Sequence, residues 1–405
     1  MKQQVVVEEP MLRQLDRWWF GYGSPTSIAL FRIIIGTLGF LNLLMLSGDW
    51  EAWFGEHGFV PAWLGQAWLG PAQPIGVGDL AVPRLDLISG VTNPTLAIGF
   101  FVLATVSALT TALGLFTPIS AFLFAVTTVS LHHRNIVILH GGDTTLRLGA
   151  IYLAVSPCGR ACSLDRLFRL RRGEAEEAPQ ISLWPQRLVQ FNMALIYFTT
   201  VWAKFFGPKW LNGTATWYPA RLAEFYRFPV PSFMNNLPMV YLTTYGTLLV
   251  EFSLATLVFF RPLRNWVLLA GVLLHASIEY SMNIPLFSYL MTSYYVCHFE
   301  GEEIAAYAKR LGGRLRGMLG LEVYLPSGKK LTPNGERFLH AVDPFGLVRY
   351  LPNEHERQVN EGWDAKKPDG RRAHPFRGVA YRSPGAWLFL LVPGLWRRMM
   401  LRSVE

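Results

Sequence analysis

Apolar runs long enough to cross a lipid bilayer recur along this chain, and they restrict its possible folds more than any other feature. A spanning helix needs about 20 mainly apolar residues at 1.5 Å rise each. Such runs lie at 26–47, 94–116, 118–139, 188–206, 239–260 and 263–282, with shorter ones at 144–155 and 285–299. Of the 405 residues 16% are charged, 51% hydrophobic and 14% aromatic, against roughly 25% charged in soluble domains. The pattern predicts an all-α polytopic membrane protein, a bundle of about eight transmembrane helices with a small α+β C-terminal appendage. The net charge of +9 does not argue for a nucleic-acid partner, because the arginines lie between runs or in the tail and form no aromatic-interleaved basic face. The three cysteines, Cys158, Cys162 and Cys297, make neither a disulfide framework nor a zinc site. Cys158 and Cys162 read as turn residues around Pro157 and Gly159.

Four segments follow. Residues 1–24 carry Glu8, Glu9 and Asp16 and lack the apolar core of a cleavable signal; Leu12, Leu15, Trp18, Trp19 and Phe20 suit a helix in the interface plane or a soluble lead-in. Residues 25–299 hold the runs. Residues 300–385 predict a small α+β tail, with strands at 322–325 and 347–350 around a helix at 335–341 and a loop-like stretch at 353–382. Residues 386–405 predict a membrane-surface segment flanked by Arg397, Arg398 and Arg402.

Cytoplasmic loops collect Lys and Arg, which orients the stack. Arg160, Arg166, Arg169, Arg171 and Arg172 follow the fourth run, Arg261 and Arg264 the sixth, and Lys309, Arg310, Arg314 and Arg316 the eighth. The Trp-, Pro- and Gly-rich connection 48–93 carries Asp49, Glu51, Glu56, Asp79 and Asp86 against the single Arg84. It is expected outside, capping the bundle, with both termini in the cytoplasm of a multi-pass protein of the cell (inner) membrane.

An ammonium at a helix centre costs about 2.5–3.5 kcal/mol on insertion scales, so an ionisable group inside a span is kept for a partner, a cavity or chemistry. Lys204 closes the fifth run; a snorkelling role is its plainer alternative. On the predicted threading, Lys204 shares the outer leaflet with His132, His133, Arg134, His140 and Asp143, and with His275, Glu279 and Asn283. Asp143, a predicted N-cap, has Arg147 one turn on as an ion-pair partner, and Glu251 has Arg32 as a possible one. Each residue alone suits helix packing. Their convergence from four spans points to a site, with His140, Asp143, Arg147, Glu251 and Glu279 as supporting polar groups.

These residues also carry a family resemblance. The stretch from His275 to Met291, with Phe287-Ser288-Tyr289 twelve positions after the histidine, resembles the membrane region of vitamin K-dependent γ-glutamyl carboxylase. Tyr197-Phe198, Lys204, Trp210 and Gly213 look like that family's Tyr-Phe, catalytic lysine, Trp and Gly. Leu30-Phe31-Arg32-Ile33, Asp143, Ser156-Pro157-Cys158-Gly159 and Ser163-Leu164-Asp165 are similar to the wider HTTM (horizontally transferred transmembrane) family. The resemblance covers Pro25 to about Phe299. It implies Lys204 and His275 as catalytic residues and Trp210, Asn283, Phe287 and Tyr289 around a reduced menaquinone or vitamin K-type quinone. Lys204 would act as general base on the hydroquinone, with O2 as co-substrate and CO2 as a second if carboxylation follows. Desolvation by apolar surroundings is expected to favour the neutral amine. The chain differs from the carboxylase in having Gly141-Gly142-Asp143 where that family has a histidine, His140 being nearest, and in having only about a hundred residues after Phe299.

The lipid bilayer, a lipid quinone and a secreted protein or peptide substrate are the implied partners. Two other function classes stay open: a non-catalytic accessory protein for maturation or export of a secreted peptide, and a transporter, for which no inverted repeat is evident. The charge asymmetry predicts that reporters fused at Arg172 and after Arg316 are cytoplasmic and one within 76–79 is extracytoplasmic; an extracytoplasmic signal at Arg172 would overturn this threading.

Overall fold

Prolines and short polar caps set where the helices begin. Asn93 accepts the Thr95 N–H at 2.9 Å ahead of Pro94, and Asn236 accepts the Met239 N–H at 3.0 Å ahead of Pro238, each filling one of the donors a helix start leaves open. The computed structural model describes residues 10–69, 72–74, 81–89, 91, 93–174, 178–352, 362–390 and 394–405. Within them the chain is mostly helical. The helices are α1 (Met11–Phe20), α2 (Thr26–Ser47), α3 (Trp50–Phe54), α4 (Ala62–Leu69), α5 (Pro94–Leu113), α6 (Thr117–Arg134), α7 (Gly141–Ala154), α8 (Leu164–Arg172) and α9 (Trp184–Lys204). They continue as α10 (Pro208–Leu211), α11 (Leu237–Ala255), α12 (Arg261–Ser281), α13 (Phe287–Ser293), α14 (Gly301–Leu319), α15 (Pro333–Val342), α16 (Pro375–Arg382), α17 (Pro384–Leu390) and α18 (Leu395–Leu401). Among the described helices, α2 and α5 are long and apolar enough to cross a membrane by length and composition.

Close contact between α2 and its neighbours rests on two glycines. A Cβ on Gly36 would meet the Ala112 backbone nitrogen of α5 at 2.6 Å, and one on Gly39 would meet the Phe124 ring of α6 at 2.4 Å. Small residues at such crossings let backbones approach. Arg32, fully buried on α2, donates to Thr111 O (2.6 Å), Ala112 O (2.8 Å), Cys158 O (3.2 Å) and Cys162 O (2.6 Å). Nearby, Asp165 accepts the N–H groups of Phe116 (2.9 Å) and Thr117 (2.8 Å) and the Thr117 hydroxyl (2.7 Å), closing the start of α6 from a distance. Cys158 and Cys162 are free thiols in this turn.

The eighth apolar run, expected as one helix over 285–299, is broken. α13 ends at Ser293 and a 3₁₀ turn carries Tyr294–His298. Side chains take the backbone groups this leaves open: Gln186 donates to Cys297 O and Phe299 O (2.8 and 3.1 Å), Gln190 to Cys297 O (2.5 Å), Arg264 to His298 O (3.0 Å) and Ser27 to Phe299 O (2.6 Å). Irregular backbone inside a bundle is tolerated only where such partners exist. Beyond it, Arg264 pairs with Glu303 at 3.1 Å. Burial pushes the Glu303 carboxyl up, but the hydrogen bonds from Arg264 and the Glu300 N–H, with the charges of Arg264 and Arg261, outweigh it and hold the group below the usual carboxylate range. Its stabilising effect is therefore present above the ordinary carboxylate pKa and is lost as pH falls through the folded value.

The connection after α2 covers one end of the bundle. Trp50 stacks on Phe54 and meets Phe101 of α5, both at 4.5 Å between centroids, and Arg134 and Asn135 donate to Val60 O (2.9 Å) and Trp53 O (2.8 Å). Residues 75–80, with Asp79 and the whole of the 76–79 reporter site, lie outside the described residues, as do Glu8 and Glu9.

The tail has its own core. Strands β1 (Tyr22–Gly23) and β4 (Ile181–Ser182) pair near the N-terminus, β2 (Ala72–Pro74) and β3 (Ala81–Pro83) in the connection. In the tail β5 (Leu321–Tyr324) lies between β6 (Val348–Leu351), parallel, and β7 (Asp364–Lys366), antiparallel, with α15 as the crossover. Leu164 and Leu167 of α8 join Phe338, Trp363, Phe389 and Trp396 in this core. Two expectations are corrected here. The stretch 353–382 is no plain loop, since β7 and α16 fall within it, although 353–361 lies outside the described residues. The segment 386–405 turns apolar side chains into the tail: Ala386, Phe389, Trp396, Met399 and Met400 are buried, packed in one core with Phe338 and Leu339 of α15 and Phe376 and Val379 of α16. The described residues of 321–405 thus share one core with α8.

An unsatisfied buried acceptor costs about 1–3 kcal/mol, and Arg32→Met would take its donor from the carbonyls of Ala112, Cys158 and Cys162 at once, Thr111 O keeping the Gly114 N–H. A marked fall in the thermal unfolding midpoint in detergent is expected; an unchanged midpoint would show that the guanidinium is dispensable.

Candidate functional site

Lys204 is the last residue of α9, and its ammonium meets both oxygens of the Glu251 carboxylate on α11. The two side chains keep 19% and 11% of their exposure. The Lys204 nitrogen also stands 4.9 Å from the centre of the Trp210 ring on α10, a cation–π contact that α10 supplies by turning back just after α9. Lys204 therefore sits opposite a counter-charge, which corrects the expectation of purely apolar surroundings. Glu251 does not reach Arg32, whose donors are taken by carbonyls.

Beside this pair runs a second polar line. His275 of α12 is 3% exposed. Its Nε2 is 2.8 Å from the Tyr197 hydroxyl of α9, which is 2.9 Å from the Tyr295 hydroxyl. His275 Nδ1 is buried and has no hydrogen-bond partner among the described residues. The Phe287 ring lies 5.6 Å from the His275 ring and 6.4 Å from the His140 ring, so it stands between two imidazoles.

His140 belongs to the start of α7. It, and not Asp143, is the N-cap. Its Nδ1 accepts the Gly142 N–H at 2.9 Å, while Asp143 accepts the His140 N–H at 2.8 Å, a reciprocal capping box. An accepting Nδ1 leaves the proton of the neutral ring on Nε2, 3.5 Å from the Asp143 carboxylate. Asn42 of α2 donates to the other Asp143 oxygen at 3.3 Å. These contacts stand where an Asp143–Arg147 ion pair was expected. The spacing was right for the pair, but the carboxylate is turned back toward the helix start.

A cavity of about 260 Å³ opens here, between α2, α6, α7 and the turn before α13. Leu43, Phe54, Phe124, Leu131 and Leu146 make its walls, and Asn42, His132, His140 and Asp143 form a polar corner. Lys204, His275, Asn283 and Tyr289 do not line it. Tyr289 is 52% exposed; Asn283 is exposed and its N–H donates to Phe225 O at 2.6 Å. Glu279 is bound by Arg227 and is not on the His275 line despite the one-turn spacing. His133 accepts the Leu85 N–H at 3.0 Å, which makes it a fastener of the outer connection.

The structure thus joins Lys204 to Glu251 and Trp210, and His275 to Phe287 and His140, and leaves Tyr289, Asn283, Arg147 and Glu279 apart. Tyr295, Asn42 and the Lys204–Glu251 pairing escaped sequence reasoning. The pairing had a signal: with Arg32 satisfied by carbonyls, Lys204 and Glu251 are opposite charges left in two apolar runs. Breaking a buried pair from one side costs about 3–5 kcal/mol, while replacing both partners is often neutral. Lys204→Met and Glu251→Leu should each lower the unfolding midpoint and the double variant should recover most of the loss. Additive losses in that cycle would deny the coupling.

Comparison with known proteins adds the family. The model of the HTTM domain matches residues 81–302, a range that holds Lys204, Glu251, His275, Phe287 and His140. No curated protein and no solved structure matches the chain. With more than half of its length matched to that transmembrane domain, and two apolar helices of spanning length, the chain is a membrane protein that belongs to the HTTM family.

Proposed function

We propose that this chain is an enzyme of about eight crossings that takes a proton from an apolar, hydroxylated ring substrate of the hydroquinone class, with Lys204 and Glu251 as the proton-accepting couple. The contact between an ammonium and a carboxylate inside the bundle carries this reading, because ionisable groups at such depth are costly to keep. A reduced menaquinone or vitamin K-type quinone, the class the family resemblance implies, fits the described residues. The cavity offers apolar walls for a ring and one polar corner for its oxygen, as lipid-like ligand sites do, and His275 Nδ1 is a buried polar atom in need of a partner. His140, His132 and Asn42 would hold the polar edge and Phe124 and Leu131 the ring; Lys204 and Glu251 do not line this cavity, so the reacting hydroxyl would have to reach beyond it to meet them. When bound, the hydroquinone would supply the acidic hydroxyl and the electrons for reaction with O2.

The chain's own groups do the rest. A salt-bridged ammonium is not a base; Lys204 accepts a proton only after its own has passed to Glu251, and the contact lets that transfer occur without further rearrangement. Trp210 covers Lys204 and limits water there. Tyr197, fixed by Tyr295, holds His275 Nε2, so the imidazole is oriented before any substrate arrives. Phe287 stands between the ring of His140, at the cavity, and that of His275. Coupling to CO2 addition on a secreted protein or peptide is the further step the resemblance suggests.

Oxygen-dependent quinol consumption in nanodiscs tests the reading. General-base catalysis contributes about 10²–10⁴-fold, so Lys204→Met should lose activity on that scale while the folded protein still binds quinone. Lys204→Arg should fail too, because a guanidinium does not give up its proton. Equal rates in wild type and Lys204→Met would remove Lys204 from the mechanism. No consumption by wild type, together with a stable complex with a secreted peptide, would favour the accessory role.

A further inference from the structure

The connection between α9 and α11, residues 205–236, exposes aromatic rings in a way a water-facing loop does not. Phe225, Tyr226, Phe228 and Phe233 are 38–64% exposed, and Trp217 and Tyr218 are 38% and 44%. Contiguous apolar surface of this kind marks an interaction site. The segment is not loose chain. Phe225 O takes the Asn283 N–H at 2.6 Å, Pro229 O takes the Tyr280 hydroxyl at 3.1 Å, Tyr226 bridges to Met282, and Arg227 pairs with Glu279. At its other end Leu211 O takes the Tyr245 hydroxyl at 2.9 Å and Thr216 bonds to Thr243 and Thr244. The rings are thus held outward at the ends of α9, α11 and α12.

Three cations lie among them, each against a ring: Lys209 over Tyr218 at 4.8 Å, Arg221 over Trp217 at 3.5 Å and Arg227 over Phe228 at 5.6 Å. Glu224 is the only carboxylate in the segment's sequence. The patch also continues the exposed apolar surface of the helices that carry it, through Trp202 of α9, Phe206 just beyond its end, and Tyr241 and Leu242 of α11.

We infer that residues 207–236 lie in the headgroup layer of the bilayer, with the aromatic side chains inserted toward the acyl chains and Lys209 and Arg221 facing lipid phosphate. Aromatic belts and cations at the ends of spans are how membrane proteins meet that layer. The inference uses the membrane placement of the family and is independent of any quinone chemistry. Its consequence is that Lys204, at the root of the connection, is roofed by a segment in contact with lipid and not with bulk water.

The test is depth measurement on the full-length protein in nanodiscs. Phe233→Cys and, separately, Tyr226→Cys are spin-labelled, with the labelled wild type as background for the native thiols. Accessibility to oxygen is compared with accessibility to a water-soluble nickel chelate. Labels about 5–10 Å inside the headgroup boundary are expected, with oxygen favoured over chelate. Adding phosphatidylglycerol to phosphatidylcholine discs should deepen them, and the double variant Lys209→Gln and Arg221→Gln should abolish that shift. Chelate-accessible labels at both positions would overturn the inference in favour of a water-facing loop. Labels shielded from both reagents would overturn it in favour of cover by protein, such as a peptide partner or a second copy.

Discussion

A guanidinium with no carboxylate partner among the described residues holds this bundle together. Arg32 is buried in α2, yet its hydrogen bonds go to carbonyls at the end of α5 and in the turn after α7. The C-terminal end of a helix carries partial negative charge, and Thr111 and Ala112 present that end of α5 to the cation. The side chain does two tasks at once: it donates to carbonyls at the end of α5 and in the turn after α7, and with its own helix it fixes three separate stretches of chain around one plane. Asp165 does the complementary task on the neighbouring helix start, where open N–H groups call for negative charge. Cation and anion each serve a helix end of the opposite sign, and the crossing of α2, α5 and α6 follows from that arrangement together with the two glycines.

The helices were legible in the sequence because apolar runs and Pro-led starts act locally. α2, α5, α9, α11 and α12 begin or end within a few residues of the runs that announce them. The uses of Arg32 and Asp165 were not legible, although both stand in motifs that the sequence displays. The carbonyls of Arg32 lie 79 to 130 residues away, and a backbone acceptor leaves no trace in residue identity. The broken eighth run was hidden for the same reason: its composition is apolar, and the glutamines that let it unwind belong to α9. The tail misled in the opposite sense. Trp396 and Met400 look like membrane-facing residues until the helices of the tail claim them for their core, Trp396 against Phe338, Phe389 and the Phe376 carbonyl.

The candidate site shows how partial a residue-by-residue reading is. The sequence singled out Lys204, His275 and His140, but spacing alone could not tell which neighbours they serve. Glu279 is one turn from His275 and still answers Arg227; Arg147 is one turn from Asp143 and still yields to a backbone N–H and an asparagine. Helix spacing says which side chains can meet. Competition among partners decides which do, and a carboxylate near the open N–H groups of a helix start has strong local offers.

The unwound turn after α13 gives adjacent residues unlike neighbours. Tyr294 sends its hydroxyl to Thr145 O of α7 at 2.8 Å, and Tyr295 sends its own to Tyr197 of α9 at 2.9 Å. One residue touches the helix that frames the cavity; the next touches the helix that ends in Lys204. A single peptide unit is therefore a strut between them. Rigid as peptide planes are, it ties the position of the cavity wall to the orientation of His275, so a molecule that spreads α7 on entering would be felt at the imidazole without touching it.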